Sequence, residues 1–471
     1  MKTRLSMLLL LSLAYTTNIF GQQSIKSLPP TKYAVVLYSD EVTEQKGNNN
    51  KIASHWVNKG GGSFTWKMEF AQGGDYEVAL NYAAPSAGSA VKILAGNDVI
   101  SAGLAVTSGY YSSSNTNWSQ TNFERREVPG KLHLTKGMNT VTLELSHTPD
   151  TELNLYSVEL IPAAKKTLIK KDLAMAQKMR SDAKWFTNAG YGLMFHWTSQ
   201  STPLQGAIKP YQQAVNDFDI GAFVKMVQKT GACYVIFTTN HAEPYFPAPL
   251  KSWEKEYPGH TTKRDLIAEL ADSLQKHNIK LILYLATHIY AKFDKVNDQE
   301  FERLNFSLLG EIGARYQKKV AGYWLDGWYQ SYTKHPSFDF ESFYKLSKIG
   351  NKDRLLCLNS WLYPAATMWQ DYFAGEFYKL GIPSATQILE NGPGRGLPAQ
   401  TLVVMESDNW LHTSLNTKIK SPDLKADELL SFISKQKGKG PVTINIQIYQ
   451  DGSIGDEALK VMETVNKSLN R

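Results

Sequence analysis

Val320-Ala321-Gly322-Tyr323-Trp324-Leu325-Asp326-Gly327 is a short apolar and aromatic run that ends in a carboxylate and a glycine. A run of this length closed by a turn signal reads as a buried strand. Upstream of it, Glu300–Lys319 has the spacing of an amphipathic helix. The same alternation spreads outward in both directions. Tyr191–Trp197, Cys233–Thr239, Ile279–Ala286, Arg354–Asn359, Asp371–Glu376, Leu402–Glu406 and Val442–Ile448 are further apolar runs. Helical patterns separate most of them, among them Ile220–Thr230, Arg264–His277 and Ala426–Gln436. Eight such runs with intervening helices predict an α/β fold, a (β/α)8 TIM-like barrel, over residues 185–471.

The texture before residue 165 is different. Phe64–Phe70, Tyr76–Tyr82 and Val141–Leu145 alternate polar and apolar residues with period two, which marks strands with one wet and one buried face. Gly60-Gly61-Gly62, Gly73-Gly74-Asp75 and Ser112–Asn117 punctuate them. An all-β jelly-roll sandwich is expected over residues 30–163. Gly74-Asp75-Tyr76, Leu134–Val141 and Leu153–Leu160 resemble the carbohydrate-binding modules appended to many sugar-processing enzymes. Tyr110, Tyr111 and Trp118 are candidate sugar-stacking residues, and a sandwich that merely props its neighbour is the alternative. Between the halves, residues 164–184 are rich in Lys, Ala, Leu and Met without Gly or Pro and read as a linker helix.

Composition narrows the function classes. The chain has 471 residues, enough for two domains, with 42% hydrophobic and 20% charged residues, which indicates a globular protein. The net charge of +7 is scattered rather than gathered on one face, so nucleic acid is not an expected partner. Lys2 and Arg4, the apolar Met7–Ala14 and the polar Gln22-Gln23 form a signal peptide over residues 1–22, and a secreted or periplasmic location is expected. No Cys lies near its end to carry a lipid, and no later stretch is apolar enough to span a membrane. The two cysteines, Cys233 and Cys357, sit in separate apolar runs and read as buried small hydrophobes. No His/Asp/Glu grouping has metal-ligand spacing, and no phosphate loop or serine nucleophile elbow is present, so no cofactor is expected.

In a (β/α)8 barrel the chemistry lies where the strands end. The runs close in His196-Trp197, Asn240-His241, Tyr284 reaching His288, Trp324-Leu325-Asp326, Asn359-Ser360-Trp361, Gly375-Glu376 and Met405-Glu406. Asp326 reads equally as a helix cap or as a carboxylate in the mouth. A second carboxylate across the mouth, Glu376 or Glu406, favours chemistry, because glycoside hydrolysis uses one carboxyl to attack or to activate water and one to protonate the leaving oxygen.

Trp185-Phe186, Gly192–Trp197, Thr238-Thr239-Asn240-His241, Lys263-Arg264-Asp265-Leu266, Tyr323–Gly327 and Gly440–Gly452 with Asn445 and Asp451-Gly452-Ser453-Ile454 together resemble the retaining α-L-fucosidases, in order and spacing, from about residue 185 onward. The resemblance implies that Asp326 is the nucleophile and that Glu376, or else Glu406, is the acid/base, with Glu390 in the intervening loop a more distant candidate. It implies sugar contacts at His196, His241, Trp324 and Tyr284, with Trp197 and Trp361 as further candidates at the ends of the first and fifth runs. The substrate implied is an oligosaccharide or glycoconjugate carrying terminal fucose. Departures are visible. The family's His pair is His241-Ala242 here, Thr198 stands where the family has Gly, and the sandwich precedes the barrel instead of following it. The retained Asp326 favours an active enzyme of altered specificity, the lost His makes a related exo-glycosidase such as a β-galactosidase one rival reading, and a catalytically inactive glycan-binding protein is a rival of another class.

Overall fold

The computed structural model describes residues 27–28, 33–52, 55–107, 123–148, 151–241, 243–286, 296–328, 335, 337–360, 365, 367–378, 393–406, 409–438 and 440–469. The expected signal peptide, the loop aromatics Tyr110, Tyr111 and Trp118, and His288, Trp361 and Glu390 lie outside the described residues.

Ten antiparallel strands come first: β1 (Ser27–Leu28), β2 (Ala34–Tyr38), β3 (Glu44–Ile52), β4 (His55–Phe70), β5 (Gly74–Ala83), β6 (Ser89–Ala95), β7 (Asp98–Leu104), β8 (Glu124–Leu134), β9 (Gly137–Ser146) and β10 (Glu152–Pro162). β10 pairs β2 and β4 along one edge and β5 along the other, so the sheet folds over at this strand. Alternate residues of β4, β6 and β9, such as Phe64, Ile93 and Leu143, then meet Val78, Leu80, Leu132 and Leu160 of the other layer in one buried core. This is the two-layer packing expected of a period-two pattern. The outer face of β5 and β10 is buried as well. There Glu159 accepts from Arg125 Nε and from Asn81 Nδ2, both at 2.8 Å, and the pair is almost fully enclosed.

The connecting helix α1 (Lys166–Met179) is shorter than the linker read from the sequence. Arg180 leaves it extended and donates to the carbonyls of Arg395, Met368 and Pro393, tying the linker to the second unit. A one-turn helix, α2 (Lys184–Thr187), follows.

The second sheet has eight parallel strands: β11 (Tyr191–Phe195), β12 (Tyr234–Thr238), β13 (Lys280–Ala286), β14 (Val320–Asp326), β15 (Leu355–Leu358), β16 (Glu376–Tyr378), β17 (Thr401–Val404) and β18 (Val442–Asn445). The order is β15-β14-β13-β12-β11-β18-β17-β16. The first and last strands pair through β11 and β18, and the two edges, β15 and β16, are neighbours in sequence. This is the order of a barrel with one unladdered seam. Around it lie α3 (Tyr211–Asp217), α4 (Ile220–Thr230), α5 (Lys251–Glu256), α6 (Leu266–Lys276), α7 (Asp298–Tyr316), α8 (Phe340–Ser347), α9 (Ala426–Gln436) and α10 (Asp456–Leu469). Asp219, Asp265, Asn297 and Asp339 cap α4, α6, α7 and α8 by accepting a backbone N–H of the first turn. Asp265 in Lys263-Arg264-Asp265 is thus a helix start, as its position suggested.

The expected eightfold alternation holds incompletely. Among the described residues no helix follows β15 or β16. The run Asp371–Glu376 leads into the sixth strand and ends at its first residue, Glu376. Phe373 already pairs Ala399 in parallel, with Phe373 N donating to Pro398 O and Gly375 O accepting from Leu402 N, whereas Asp371 N donates across the seam to Leu356 O of β15. Cys357 is buried inside the barrel, whereas Cys233, just ahead of β12, is exposed and not the core residue it was read to be.

Strand phase sorts every residue at the mouth. Met194, Ile236, Ile282, Tyr284, Trp324, Cys357 and Leu402 pack inside the barrel, while Leu193, Phe195, Phe237, Leu283, Leu325 and Val403 face the helices. Inward residues near the strand ends therefore point into the mouth and their neighbours cannot.

Candidate active site

Asp326 is the last residue of β14 and has the inward phase of Trp324. Three donors converge on it. Tyr284 Oη donates to Oδ2 at 2.6 Å, while Gly327 N and Asn359 Nδ2 donate to Oδ1, each at 2.8 Å. Gly327 adopts φ +83, the left-handed turn that lets its N–H fold back onto the preceding carboxylate. Three donors on one carboxyl group favour its ionised form.

Glu376 opens β16 on the far side of the seam. Its Oε2 accepts from the same Asn359 Nδ2 at 2.8 Å. Two oxygens each 2.8 Å from one nitrogen are at most twice that distance, 5.6 Å, apart. Glu406, the other acid candidate, is buried at the end of the seventh run, and its Oε2 accepts from Gln447 N at 3.0 Å. The structure thus joins Glu376 to Asp326 through a shared donor and anchors Glu406 on the β18 side.

His196 follows β11 in the inward phase and is 3% exposed. Its Nδ1 lies 2.7 Å from Asn445 Oδ1, and Asn445 Nδ2 donates to Trp410 O at 3.1 Å. That second bond orients the amide, so His196 Nδ1 carries the proton and Nε2 is left with the lone pair. Burial, and then the neighbouring His241, push His196 down to about 3, so the ring is neutral across the working range of pH. Its ring is surrounded by Tyr284 at 5.1 Å, Trp410 at 5.4 Å and His241 at 5.5 Å between centroids. Trp324 stacks on Tyr284 at 5.2 Å and 17°. His196, His241, Tyr284 and Trp324 are therefore brought together with Asp326, as expected.

Trp197 is not. It succeeds His196 by one residue and so faces the opposite way, packed among Tyr211, Phe218 and Phe237 with its Nε1 donating to Gln450 O at 3.0 Å. It belongs to the wall between barrel and helices, and the reading of it as a sugar contact is corrected. Asn240, in the same motif as His241, is structural: its side chain exchanges two hydrogen bonds with the backbone of Ala286, locking β12 to β13.

Three residues of the site were given no role there by sequence reasoning: Asn359 and Asn445, named only as a strand end and in the closing motif, and Trp410. The two asparagines carry no charge to mark them, and only their place at strand ends was a signal. Trp410 is a half-exposed aromatic in the polar stretch Asn409-Trp410, a signal that was legible. Among the described residues, no group of three or more His, Cys, Asp or Glu side chains is placed to hold a metal ion.

The neutral His196 has a consequence for stability. The unfolded chain takes up a proton on this ring as pH falls through about 6.5, while the folded chain resists until about 3. Stability contributed by His196 is thus present above pH ~6.5 and is lost as pH falls toward 3, with a slope near 1.4 kcal/mol per pH unit. Denaturant midpoints between pH 4 and 6 are expected to flatten in His196→Gln by about that slope. An unchanged slope in the variant would show that His196 titrates alike in both states.

The chain is similar to known proteins. Residues 209–471 fit the family model described as "Alpha-L-fucosidase". The human tissue α-L-fucosidase is 30% identical over 132 residues, 21% of this chain and 28% of that protein. A putative α-L-fucosidase of Caenorhabditis elegans is 23% identical over 181 residues, 30% of this chain and 37% of that protein. The matched stretches thus span well under half of these relatives' lengths. An α-L-fucosidase of Bacteroides thetaiotaomicron, trapped as a covalent intermediate with 2-fluoro-fucosyl fluoride, superposes with a TM-score of 0.47 at 18% identity, covering 61% of this chain and 74% of that one. Since the matching model covers more than half of the sequence, with Asp326, Asn359 and Glu376 inside the matched span, the chain belongs to the α-L-fucosidase family of glycoside hydrolases.

Proposed function

We propose that this protein is an exported, exo-acting, retaining glycoside hydrolase that releases terminal α-L-fucose from glycans. The observation that carries this reading is the donation of one amide, Asn359 Nδ2, to both Asp326 and Glu376. Retaining enzymes need carboxyl groups about 5–5.5 Å apart, and inverting ones roughly 6.5–9.5 Å. The ceiling of 5.6 Å between the bridged oxygens supports the first class.

In the first step an Asp326 oxygen bonds to the anomeric carbon as the bond to the leaving oxygen breaks, and Glu376 gives its proton to that oxygen. In the second, Glu376 takes a proton from water, the water oxygen bonds to the anomeric carbon, and the ester to Asp326 breaks. Family membership supports L-fucose as the sugar. The lone pair of His196 Nε2 is suited to accept from a ring hydroxyl, and the partly exposed Trp410 beside it is suited to apolar parts of the sugar such as a 6-deoxy methyl group.

A panel of aryl glycosides tests the reading. Turnover of the α-L-fucoside is expected to exceed that of the β-D-galactoside and others, and NMR of the first-formed sugar is expected to show the α anomer. Preference for the galactoside transfers the site to the rival sugar. Net inversion rejects a covalent intermediate on Asp326. Glycan binding without turnover of any glycoside leaves an inactive lectin-like protein.

A further inference from the structure

We propose that Asn359 is the positioning residue of this site: it sets the separation of the two carboxyl groups and offers each a hydrogen as negative charge passes from one to the other. The proposal rests on the reading of Asp326 and Glu376 as nucleophile and acid/base.

The backbone explains why such a residue is needed. Asp326 is fixed by the ladder of β14, where Trp324 pairs Cys357 and Leu325 pairs Leu358. Asn359 N continues that ladder by donating to Leu325 O at 2.7 Å, which places Asn359 beside Asp326 in the same inward phase. Among the described residues, no strand ladder joins Glu376 to Asp326. Glu376 lies beyond the seam, on a strand that pairs β17 and not β15. A side chain, the Asn359 amide, links the two across the mouth.

An amide suits the task geometrically. Its two N–H bonds are coplanar and diverge by about 120°, which separates acceptors at 2.8 Å by roughly 4.9 Å, close to the spacing for double displacement. It also suits the electrostatics. When the glycosyl ester forms, the charge on Asp326 disappears into the new C–O bond and a charge appears on Glu376 as its proton leaves. Asn359 already presents a hydrogen to each oxygen, so no donor has to reorient when the charge moves. An amide does not titrate and adds no charge of its own, as a lysine or arginine would.

The test is Asn359→Ala. The charged form of each carboxyl group loses a donor, so both limbs of the pH profile of kcat/KM are expected to move to higher pH, by roughly one unit. A loosened acid matters most where the leaving group needs protonation. For alkyl or sugar aglycones kcat/KM is expected to fall roughly 100-fold, and for a dinitrophenyl leaving group by less than about tenfold. Carbon-13 NMR titration of the side-chain carboxyl groups of the free protein gives a readout independent of turnover, with both groups expected to titrate higher in the variant. Unmoved carboxyl titrations, or unmoved limbs with one uniform fall for every leaving group, overturn the proposal and leave Asn359 a structural residue. Absence of turnover in the unmodified protein counts against the proposed function alone, and the NMR titration still decides the role of Asn359. If Asn359→Ala does not fold, Asn359→Ser keeps one hydroxyl donor and loses the second, with shifts expected in the same direction.

Discussion

Replacing Asp326 with Asn is expected to lower turnover of an activated aryl α-L-fucoside on the order of 10⁴-fold or more while leaving the fold intact. The chemical part of the argument is that an amide oxygen cannot form the glycosyl ester, so the double displacement loses its first step. The size follows from what loss of a covalent nucleophile costs other hydrolases whose oriented groups act as a unit. The structural part is that Asn is isosteric here. Its Oδ1 can still accept from Gly327 N and Asn359 Nδ2, and its amide can donate to Tyr284 Oη where the carboxylate accepted before. Asp326 is also at the rim and partly exposed, so the change leaves no buried charge uncompensated. Turnover at the normal rate would remove Asp326 from the chemistry. Loss of the far-ultraviolet circular dichroism signal or of a cooperative transition would show instead that the three donors require a charge to hold the mouth together.

Much of this arrangement was legible in the sequence because it follows from period and polarity. The run ending in Trp324-Leu325-Asp326 matched β14 residue for residue, and polar residues closing successive apolar runs located the mouth. What the sequence did not separate was phase at the motif His196-Trp197. Both residues look like sugar contacts, but in a strand only one can point inward. Met194 inside the barrel already implied that His196 was the one. The sixth strand was begun too early for a different reason. Asp371-Tyr372-Phe373-Ala374-Gly375-Glu376 has the composition of a buried strand, yet Asp371 and Glu376 serve opposite ends of the seam. Side-chain bonds across a break in the ladder leave no periodic trace. For the same reason Asn359 was visible as a strand end and not as a bridge.

The bottom of that seam supplies the largest expected effect on stability. Asp371 is fully buried and its two oxygens receive four donors. Tyr344 Oη at 2.6 Å and Ser181 N at 2.8 Å meet Oδ1, while Leu356 N at 2.7 Å and Lys348 Nζ at 2.5 Å meet Oδ2. In addition, Asp371 N donates to Leu356 O at 2.8 Å, so one residue stitches β15, α8 and the end of the linker to the segment leading into β16. Burial lowers the Lys348 ammonium from its ordinary value, and the charge of Asp371 opposes that shift. Asp371→Ala leaves this ammonium buried without its counter-charge and strips two backbone N–H groups and a tyrosine hydroxyl of their acceptor. The expected cost is about 3–5 kcal/mol, measured as a fall in the denaturant midpoint at constant slope. Lys348→Met is expected to cost less, roughly 1–3 kcal/mol, because three donors remain on the carboxylate and the methionine fills the space of the lysine stem. The order of the two variants is the sensitive part. If Lys348→Met is the more damaging, the ion pair outweighs the backbone bonds. If Asp371→Ala leaves the midpoint unchanged, the seam is not closed here at all. The comparison with Glu376→Gln completes the argument: five residues along the same segment, a carboxylate that faces the mouth is expected to lose activity and keep its midpoint. Asp371 is expected to do the reverse, because fourfold donation at a buried site spends a carboxylate on structure.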